Sequence, residues 1–182
     1  MRIETKILDI ADASNSTPIL EMRGISQIFP GVKALDGVDI ALYPGKVTAL
    51  IGENGAGKST LVKILTGIYR PNEGEILLDG TAVTFHGAQD AINAGVTAIH
   101  QETVLFDELS VGENIFLGRL PHRRRAGFSV VDWAGLHKRA GELLADMGLE
   151  IDSRQPVSAL SVGQQQVVEI VKAMSFNPSI LL

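Results

Sequence analysis

Hydrophobic residues in the first hundred positions form short runs separated by turn residues, which is the pattern of β-strands. Turn signals stand between these runs at Phe29-Pro30-Gly31, at 43–46 and at Asp79-Gly80. The run Val-Thr-Ala-Leu-Ile is short, largely apolar and rich in residues that favour strands, so it predicts a buried parallel strand. The predicted strands are 19–22, 38–42, 47–51, 75–78 and 96–99.

From about residue 105 the hydrophobic spacing becomes helical. Ser110 and Glu113 form a capping-box pattern, and Asp132 is placed to cap a helix that Gly148 ends. A last helix is predicted over 162–175, followed by an apolar strand at 179–182. The basic run at 122–125 is expected to be a solvated loop. The inward-facing positions are predicted to be Trp133, Leu136, Ala140, Leu143, Leu144 and Met147 in the middle helix, and Val167, Ile170, Val171 and Met174 in the last.

Composition narrows the possible functions. The chain has 182 residues, 45% of them hydrophobic, which suits a folded domain. Its formal net charge is −5, so no broad basic field for nucleic acid is expected. The absence of cysteine excludes disulfides and thiol catalysis and suits a reducing cytosol. Residues 1–18 lack a signal-peptide core and are expected to be a flexible lead-in, and no apolar run approaches the ~20 residues of a bilayer span.

The stretch that follows the third predicted strand fits the phosphate-binding P-loop, G-x-x-x-x-G-K-[ST]. Its glycines allow a tight turn that points backbone N–H groups at an anion, and the helix that begins near Lys58 adds its positive end. Lys58 supplies charge for the β- and γ-phosphates and Ser59 a hydroxyl for Mg²⁺. Gly67 is placed to cap the end of that helix. The predicted nucleotide-binding residues are Gly52, Glu53, Asn54, Gly55, Ala56, Gly57, Lys58, Ser59 and Thr60.

A second motif, Leu-Ser-Val-Gly-Gln at 160–164, places a serine and a glycine at another helix start, where backbone N–H groups are exposed. It closely resembles the L-S-G-G-Q signature of ATP-binding cassette (ABC) transporter ATPases. Val162 replaces the first glycine, as in the sugar-import branch of that family. The resemblance implies that Ser161, Val162, Gly163 and Gln164 contact the γ-phosphate held by a partner cassette, so that two cassettes enclose two nucleotides.

Two further residues are in register with the family pattern. Gln101 resembles the glutamine that contacts Mg²⁺ or its water and links to the membrane subunit, which gives it a catalytic role beside Lys58. Phe29 resembles the aromatic residue that stacks on adenine. The plainer alternatives are a surface glutamine and an ordinary turn aromatic. His100 is expected to be structural.

The resemblance covers 19–182, and 29–70 is similar to the first cassette of monosaccharide importers of the ribose, galactose and xylose type. It implies an α/β P-loop NTPase fold with a RecA-like core at 19–104 and 176–182, an N-terminal antiparallel β subdomain, and a helical subdomain at 105–175. It also implies ATPase activity with ATP and Mg²⁺. The implied partners are a second cassette, permease subunits and, indirectly, a periplasmic or extracellular sugar-binding protein, with the chain peripheral on the cytoplasmic face of the membrane.

In the family, the strand after the signature is followed by an Asp that holds Mg²⁺ and a Glu that polarises water. The apolar strand at 179–182 resembles that strand, cut before the Asp. The expectation is therefore a fragment that binds nucleotide and lacks the hydrolytic carboxylates.

Other P-loop classes fit less well. A small kinase usually carries the P-loop on its first strand, and a GTPase needs an N-K-x-D motif, which this sequence lacks. A chromosome- or repair-type ABC ATPase would carry a long coiled coil before the signature. The kinase stays open as an alternative, as does a regulatory nucleotide-binding product without transport activity.

Overall fold

The structure is a computed structural model that describes residues 6–9, 17–99, 105–125 and 127–182. Its strands are β1 (Lys6–Asp9), β2 (Leu20–Phe29), β3 (Val32–Leu42), β4 (Thr48–Ile51), β5 (Glu73–Leu78), β6 (Thr81–Val83), β7 (Val96–Thr97), β8 (His122–Arg125), β9 (Phe128–Val131) and β10 (Ile180–Leu181). Its helices are α1 (Lys58–Leu65), α2 (Ala88–Asn93), α3 (Val111–Ile115), α4 (Trp133–Asp146) and α5 (Val162–Met174), with a 3₁₀ turn at Val157–Ala159.

Contacts divide the chain into two compact units, 1–94 and 95–182. This boundary differs from the predicted grouping of 19–104 with 176–182, because β7 and β10 both fall in the second unit. The domain boundaries named from the sequence stay a prediction.

The first unit is built on an antiparallel sheet with the strand order β3-β2-β5-β6. The strands predicted at 19–22, 38–42 and 75–78 lie in β2, β3 and β5, and Pro30-Gly31 joins the paired residues Phe29 and Val32. Leu20, Met22 and Ile25 of the central strand β2 are almost fully buried. The sheet therefore presents the Phe29 turn at one end of its longest hairpin.

The strand before the P-loop differs from its prediction. β4 pairs antiparallel with β1 (Lys6–Asp9), a segment expected to be part of a flexible lead-in. Val47 is 77% exposed and Ile51 48% exposed, so the buried parallel strand is wrong for this structure. An apolar strand is buried only where other elements cover both of its faces. A strand edge with unpaired backbone groups can pair with another extended segment, as β4 does with β1.

Helix α1 carries the predicted apolar face, with Leu61, Ile64 and Leu65 buried. Its end is a Schellman motif. The N–H of Gly67 donates to the carbonyl of Ile64 at 3.0 Å, and that of Ile68 donates to the carbonyl of Lys63 at 2.8 Å. Gly67 has φ 71°, as the predicted cap requires.

Helices α3, α4 and α5 surround the core of the second unit, whose members are Val111, Ile115, Phe116, Leu136, Ala140, Leu144, Val157, Leu160, Val168 and Val171. The capping box at Ser110 and Glu113 is confirmed, and so is the Asp132 cap. Trp133, Met147 and Met174 are each more than 40% exposed, which contradicts the predicted inward faces. All three lie at helix ends, and periodicity does not show where the packing partner stops.

The basic run expected to be a loop forms strand β8 instead. It pairs antiparallel with β9, and the base of this hairpin is closed by the N–H of Asp132, which donates to the carbonyl of Pro121 at 2.8 Å. Gly127 has φ 86° at the turn. The sequence did not predict β8 because this strand has no β-branched residue. The β-branched residues of the hairpin, Val130 and Val131, lie on β9.

The strands predicted at 96–99 and 179–182 pair with each other in parallel as β7 and β10. Among the described residues, no helix is both long enough and apolar enough to cross a bilayer.

Candidate nucleotide-binding site

The P-loop motif forms the turn between β4 and α1, as its sequence predicts. Gly55 and Gly57 have φ of 85° and 82°, in the left-handed region that glycine tolerates. The N–H of Ala56 donates to the carbonyl of Glu53 at 3.1 Å, which closes the turn. Gly52, Glu53, Asn54, Gly55 and Ser59 are exposed, while Ala56, Gly57, Lys58 and Thr60 are half-buried.

Lys58 lies across this loop. Its ammonium Nζ donates to the carbonyls of Gly52 and Glu53, each at 2.7 Å. A flexible side chain with three donors can keep one such bond and turn another toward a phosphate. Backbone carbonyls of the loop therefore hold the cation in place.

The first turn of α1 offers backbone donors. Gly57 is the N-cap residue and has no side chain to occupy them, and the first intrahelical bond runs from the N–H of Leu61 to the carbonyl of Gly57 at 2.9 Å. The preceding N–H groups have no intrahelical acceptor, so they suit a phosphate oxygen. The loop thus joins a cation to free donors, which fits a nucleotide polyphosphate.

Gly57 also lies close to the Phe29 hairpin. A Cβ at Gly57 would lie 2.6 Å from the carbonyl oxygen of Ala34 on β3. Ala34 is two residues beyond Val32, which pairs with Phe29 across the turn. The structure therefore places the predicted phosphate site beside the hairpin that carries the predicted adenine-stacking residue.

Phe29 is half-buried, and its ring packs edge-to-face on Tyr69, with centroids 5.4 Å apart and planes at 67°. Nζ of Lys63, on α1, lies 5.4 Å from the centroid of the Tyr69 ring. Asn72, in the segment between α1 and β5, holds the end of β2 that carries Phe29. Its Oδ1 accepts from the N–H of Ile28 at 2.7 Å. The segment after α1 thereby fixes the position of Phe29.

Sequence reasoning missed the roles of Tyr69 and Asn72. Both residues are far from Phe29 along the chain, so no local sequence pattern links them to it. Asn72 is a common turn residue, but its type alone does not indicate a bond to Ile28.

Magnesium would have few protein ligands here. Among the described residues no group of three His, Cys, Asp or Glu side chains could hold a metal ion. The exposed Ser59 hydroxyl in the first turn of α1 fits an ion that keeps most of its waters and binds substrate phosphates. Gln101, the other predicted ligand, lies outside the described residues.

The signature residues lie in the second unit, at the N-terminus of α5. Ser161 and Gln164 form a capping box, in which Oε1 of Gln164 accepts from the N–H of Ser161 at 2.9 Å and Oγ of Ser161 accepts from the N–H of Gln164 at 3.4 Å. All four residues of 161–164 are exposed, Val162 at 72%. Helix α5 has 13 residues, and its N-terminus is exposed and carries two polar side chains. Such a helix end is suited to bind an external anion.

The opposite end of α5 is held by Arg119, which sequence reasoning did not single out. Its guanidinium donates to the carbonyl of Ser175 at 2.9 Å and lies 3.9 Å from the centroid of the Phe176 ring. Burial lowers the pKa of Arg119 from its ordinary value. Arg119 therefore links the segment after α3 to the end of the helix that begins with the signature.

These features define a P-loop protein of the α/β nucleotide-binding class. A protein-family model described as ABC transporter matches residues 35–182, and the chain belongs to this family.

Named relatives agree with that assignment. The ribose import ATP-binding protein RbsA 1 of Agrobacterium fabrum is 67% identical over 182 residues, which are 100% of this chain and 35% of that protein. The fructose import ATP-binding protein FruK of Bifidobacterium longum is 51% identical over 170 residues, 93% of this chain and 32% of that protein. The chain thus spans about a third of the length of these curated relatives.

Solved structures confirm the fold class. The crystal structure of an ATP-binding cassette of an ABC transporter in its ADP conformation matches with a TM-score of 0.78 at 28% identity. The match covers 91% of this chain and 68% of that one. The α/β P-loop cassette fold predicted from the sequence is confirmed.

Proposed function

We propose that this chain supplies the ATP-binding part of the ATPase of a sugar importer. The observation that carries the proposal is the P-loop itself, where Lys58 lies over the carbonyls of 52–53 and the first turn of α1 offers free N–H groups. Names of relatives, which specify ribose and fructose import, support sugar uptake without selecting one sugar. Membership of the ABC family disfavours the small-kinase alternative.

Each predicted residue has a part in binding. Lys58 turns from the backbone carbonyls to the β- and γ-phosphates, and the N–H groups at the start of α1 donate to the same oxygens. Ser59 offers its hydroxyl to Mg²⁺, which when bound neutralises charge on the phosphates. Phe29, held by Tyr69, stacks on adenine. Gln101, which lies outside the described residues, would contact the metal or its water and link the site to the permease.

The signature completes a second site. Ser161, Val162, Gly163 and Gln164 present the α5 N-terminus to the γ-phosphate bound by a second cassette, which lies in the same parent protein or in a partner chain. Permease subunits and an external sugar-binding protein are the further partners, with this chain peripheral on the cytoplasmic face of the membrane. Nucleic acid is not a proposed partner. A regulatory nucleotide-binding role without transport would use the same P-loop.

Titration of the chain with a fluorescent ATP analogue and Mg²⁺ tests the proposal. Lys58→Ala removes the phosphate-facing charge, and a charged hydrogen bond contributes roughly 1.5–3 kcal/mol, so affinity is expected to fall about 10- to 100-fold. Lys46→Ala, at an exposed turn residue, is the matched control and is expected to bind like the parent chain. Equal affinity of the parent and Lys58→Ala would refute the assignment.

A further inference from the structure

The β8–β9 hairpin and the first residue of α4 expose large apolar side chains beside consecutive basic residues. Phe128 is 74% exposed, Trp133 49% and Val130 36%. The exposed side chains of Arg123, Phe128, Val130 and Trp133 together form the hairpin face. None of these residues belongs to the core of the second unit.

Strand register brings opposite chemistry together on this face. Arg123 pairs directly with Val130, and Phe128 lies two residues from Val130, so these three share one side of the hairpin. Arg124 pairs with Ser129 on the other side. Arg123 therefore lies on the same side of the hairpin as the exposed side chains of Phe128 and Val130.

The local charge is opposite to that of the whole chain. The net charge of the chain is −5, yet between 122 and 131 the sequence has three arginines and no acidic residue. Asp132 is the nearest carboxylate along the chain, and its Oδ1 lies 3.9 Å from Nη1 of Arg123. That distance leaves the guanidinium available to an anion with better geometry.

We propose that the hairpin face docks on anionic lipid head groups at a membrane surface. Arg123 on this face and Arg124 on the other side of the hairpin attract the negative surface, while Phe128 and Trp133 enter the head-group level, where aromatic rings with polar neighbours are favoured. An acidic protein segment would satisfy the arginines but would leave a 74% exposed phenyl ring without an apolar contact. The inference rests on the hairpin alone and adds a direct lipid contact to the proposed peripheral location.

The chain carries its own probe for a test. Trp133 is its single tryptophan, so fluorescence reports this face alone. We expect its emission to shift to the blue, and the chain to co-sediment, with vesicles of phosphatidylcholine and phosphatidylglycerol. Vesicles of phosphatidylcholine alone are expected to give neither signal. Added salt should release the chain, because head-group attraction is screened.

Two double variants distinguish an effect of the hairpin arginines from an effect of the net charge of the chain. The double variant Arg123→Glu with Arg124→Glu is expected to lower vesicle partitioning at least about tenfold, since each basic residue near an anionic surface contributes substantially. The control Lys138→Glu with Arg139→Glu makes the same charge change at exposed positions of α4 and is expected to stay within about twofold of the parent. Phe128→Ser should weaken partitioning without removing the salt dependence.

Several outcomes would overturn the proposal. These are no binding to anionic vesicles, equal binding to neutral ones, or equal loss in both double variants. A Trp133 shift with a polyglutamate peptide but not with vesicles would assign the face to an acidic protein segment instead. Circular dichroism of each variant checks folding. Loss of ATP-analogue binding with vesicle binding intact would refute the proposed function and leave this inference standing.

Discussion

Gly57 illustrates how tightly one residue constrains the phosphate-binding loop. Its φ is 82°, and an added Cβ would lie 2.6 Å from the carbonyl oxygen of Ala34. Gly57→Ala therefore adds left-handed strain of roughly 1–2 kcal/mol to a backbone clash. We expect the free energy of unfolding to fall by at least about 2 kcal/mol and ATP-analogue binding to be lost. Urea unfolding and fluorescence titration measure the two effects.

A matched glycine in the signature provides the control. Gly163 lies in the first turn of α5, with open space around the position of a Cβ and no positive φ. Gly163→Ala is expected to raise stability by up to about 1 kcal/mol, because alanine favours the helix. If both alanine variants lost stability equally, the constraint assigned to Gly57 would be wrong.

At the scale of elements, the start of α3 links stability to pH. A carboxylate oxygen of Glu113 accepts from the side chain and the backbone N–H of Ser110, and these bonds lower the pKa of Glu113 from its ordinary 4.5. A lowered pKa in the folded state means that the carboxylate stabilises the fold above pH 4.5 and stops doing so as pH falls through the lowered value.

Glu113→Gln tests this linkage. The variant is expected to be less stable than the parent near pH 7, and the difference should shrink as the pH falls below 4.5 and through the lowered pKa of Glu113. Ser110→Ala, which removes the cap itself, should cost about 1 kcal/mol near neutral pH. Urea unfolding across this pH range is the measurement, with Glu108→Gln at an exposed position as control. A pH-independent gap between the parent and Glu113→Gln would contradict the linkage.

Elements whose signals are local could be predicted from the sequence. Ser110, Asp132 and Gly67 find their hydrogen-bond partners within four residues, so their spacing is sufficient. The P-loop turn belongs to the same group. Pairing of β4 with β1, and of β8 with β9, depends on which strand edges meet, and the contact of Phe29 with Tyr69 joins residues far apart in the chain. Those features could not be predicted from periodicity.

At the scale of the whole molecule, each unit has its own buried residues. The cluster around Leu136 is drawn from 111–171 only, whereas Leu61 of α1 is buried in the first unit. Local opening can therefore be expected to follow the unit that is damaged. The P-loop lies in the first unit and the signature in the second, so different sets of buried residues stabilise the two parts of the proposed function.

Hydrogen exchange of two cavity variants tests this separation. Leu136→Ala and Leu61→Ala each empty a buried site and are expected to cost about 2–5 kcal/mol. Leu136→Ala should speed amide exchange in α3, α4 and α5. Leu61→Ala should speed it in α1 and in the four-stranded sheet β3-β2-β5-β6. Mg-ATP, which binds only the folded P-loop, should slow exchange at 52–60 in the parent and in Leu136→Ala alike. Uniform acceleration over both units in either variant would show that they open together, and nucleotide protection centred outside 52–60 would contradict the site.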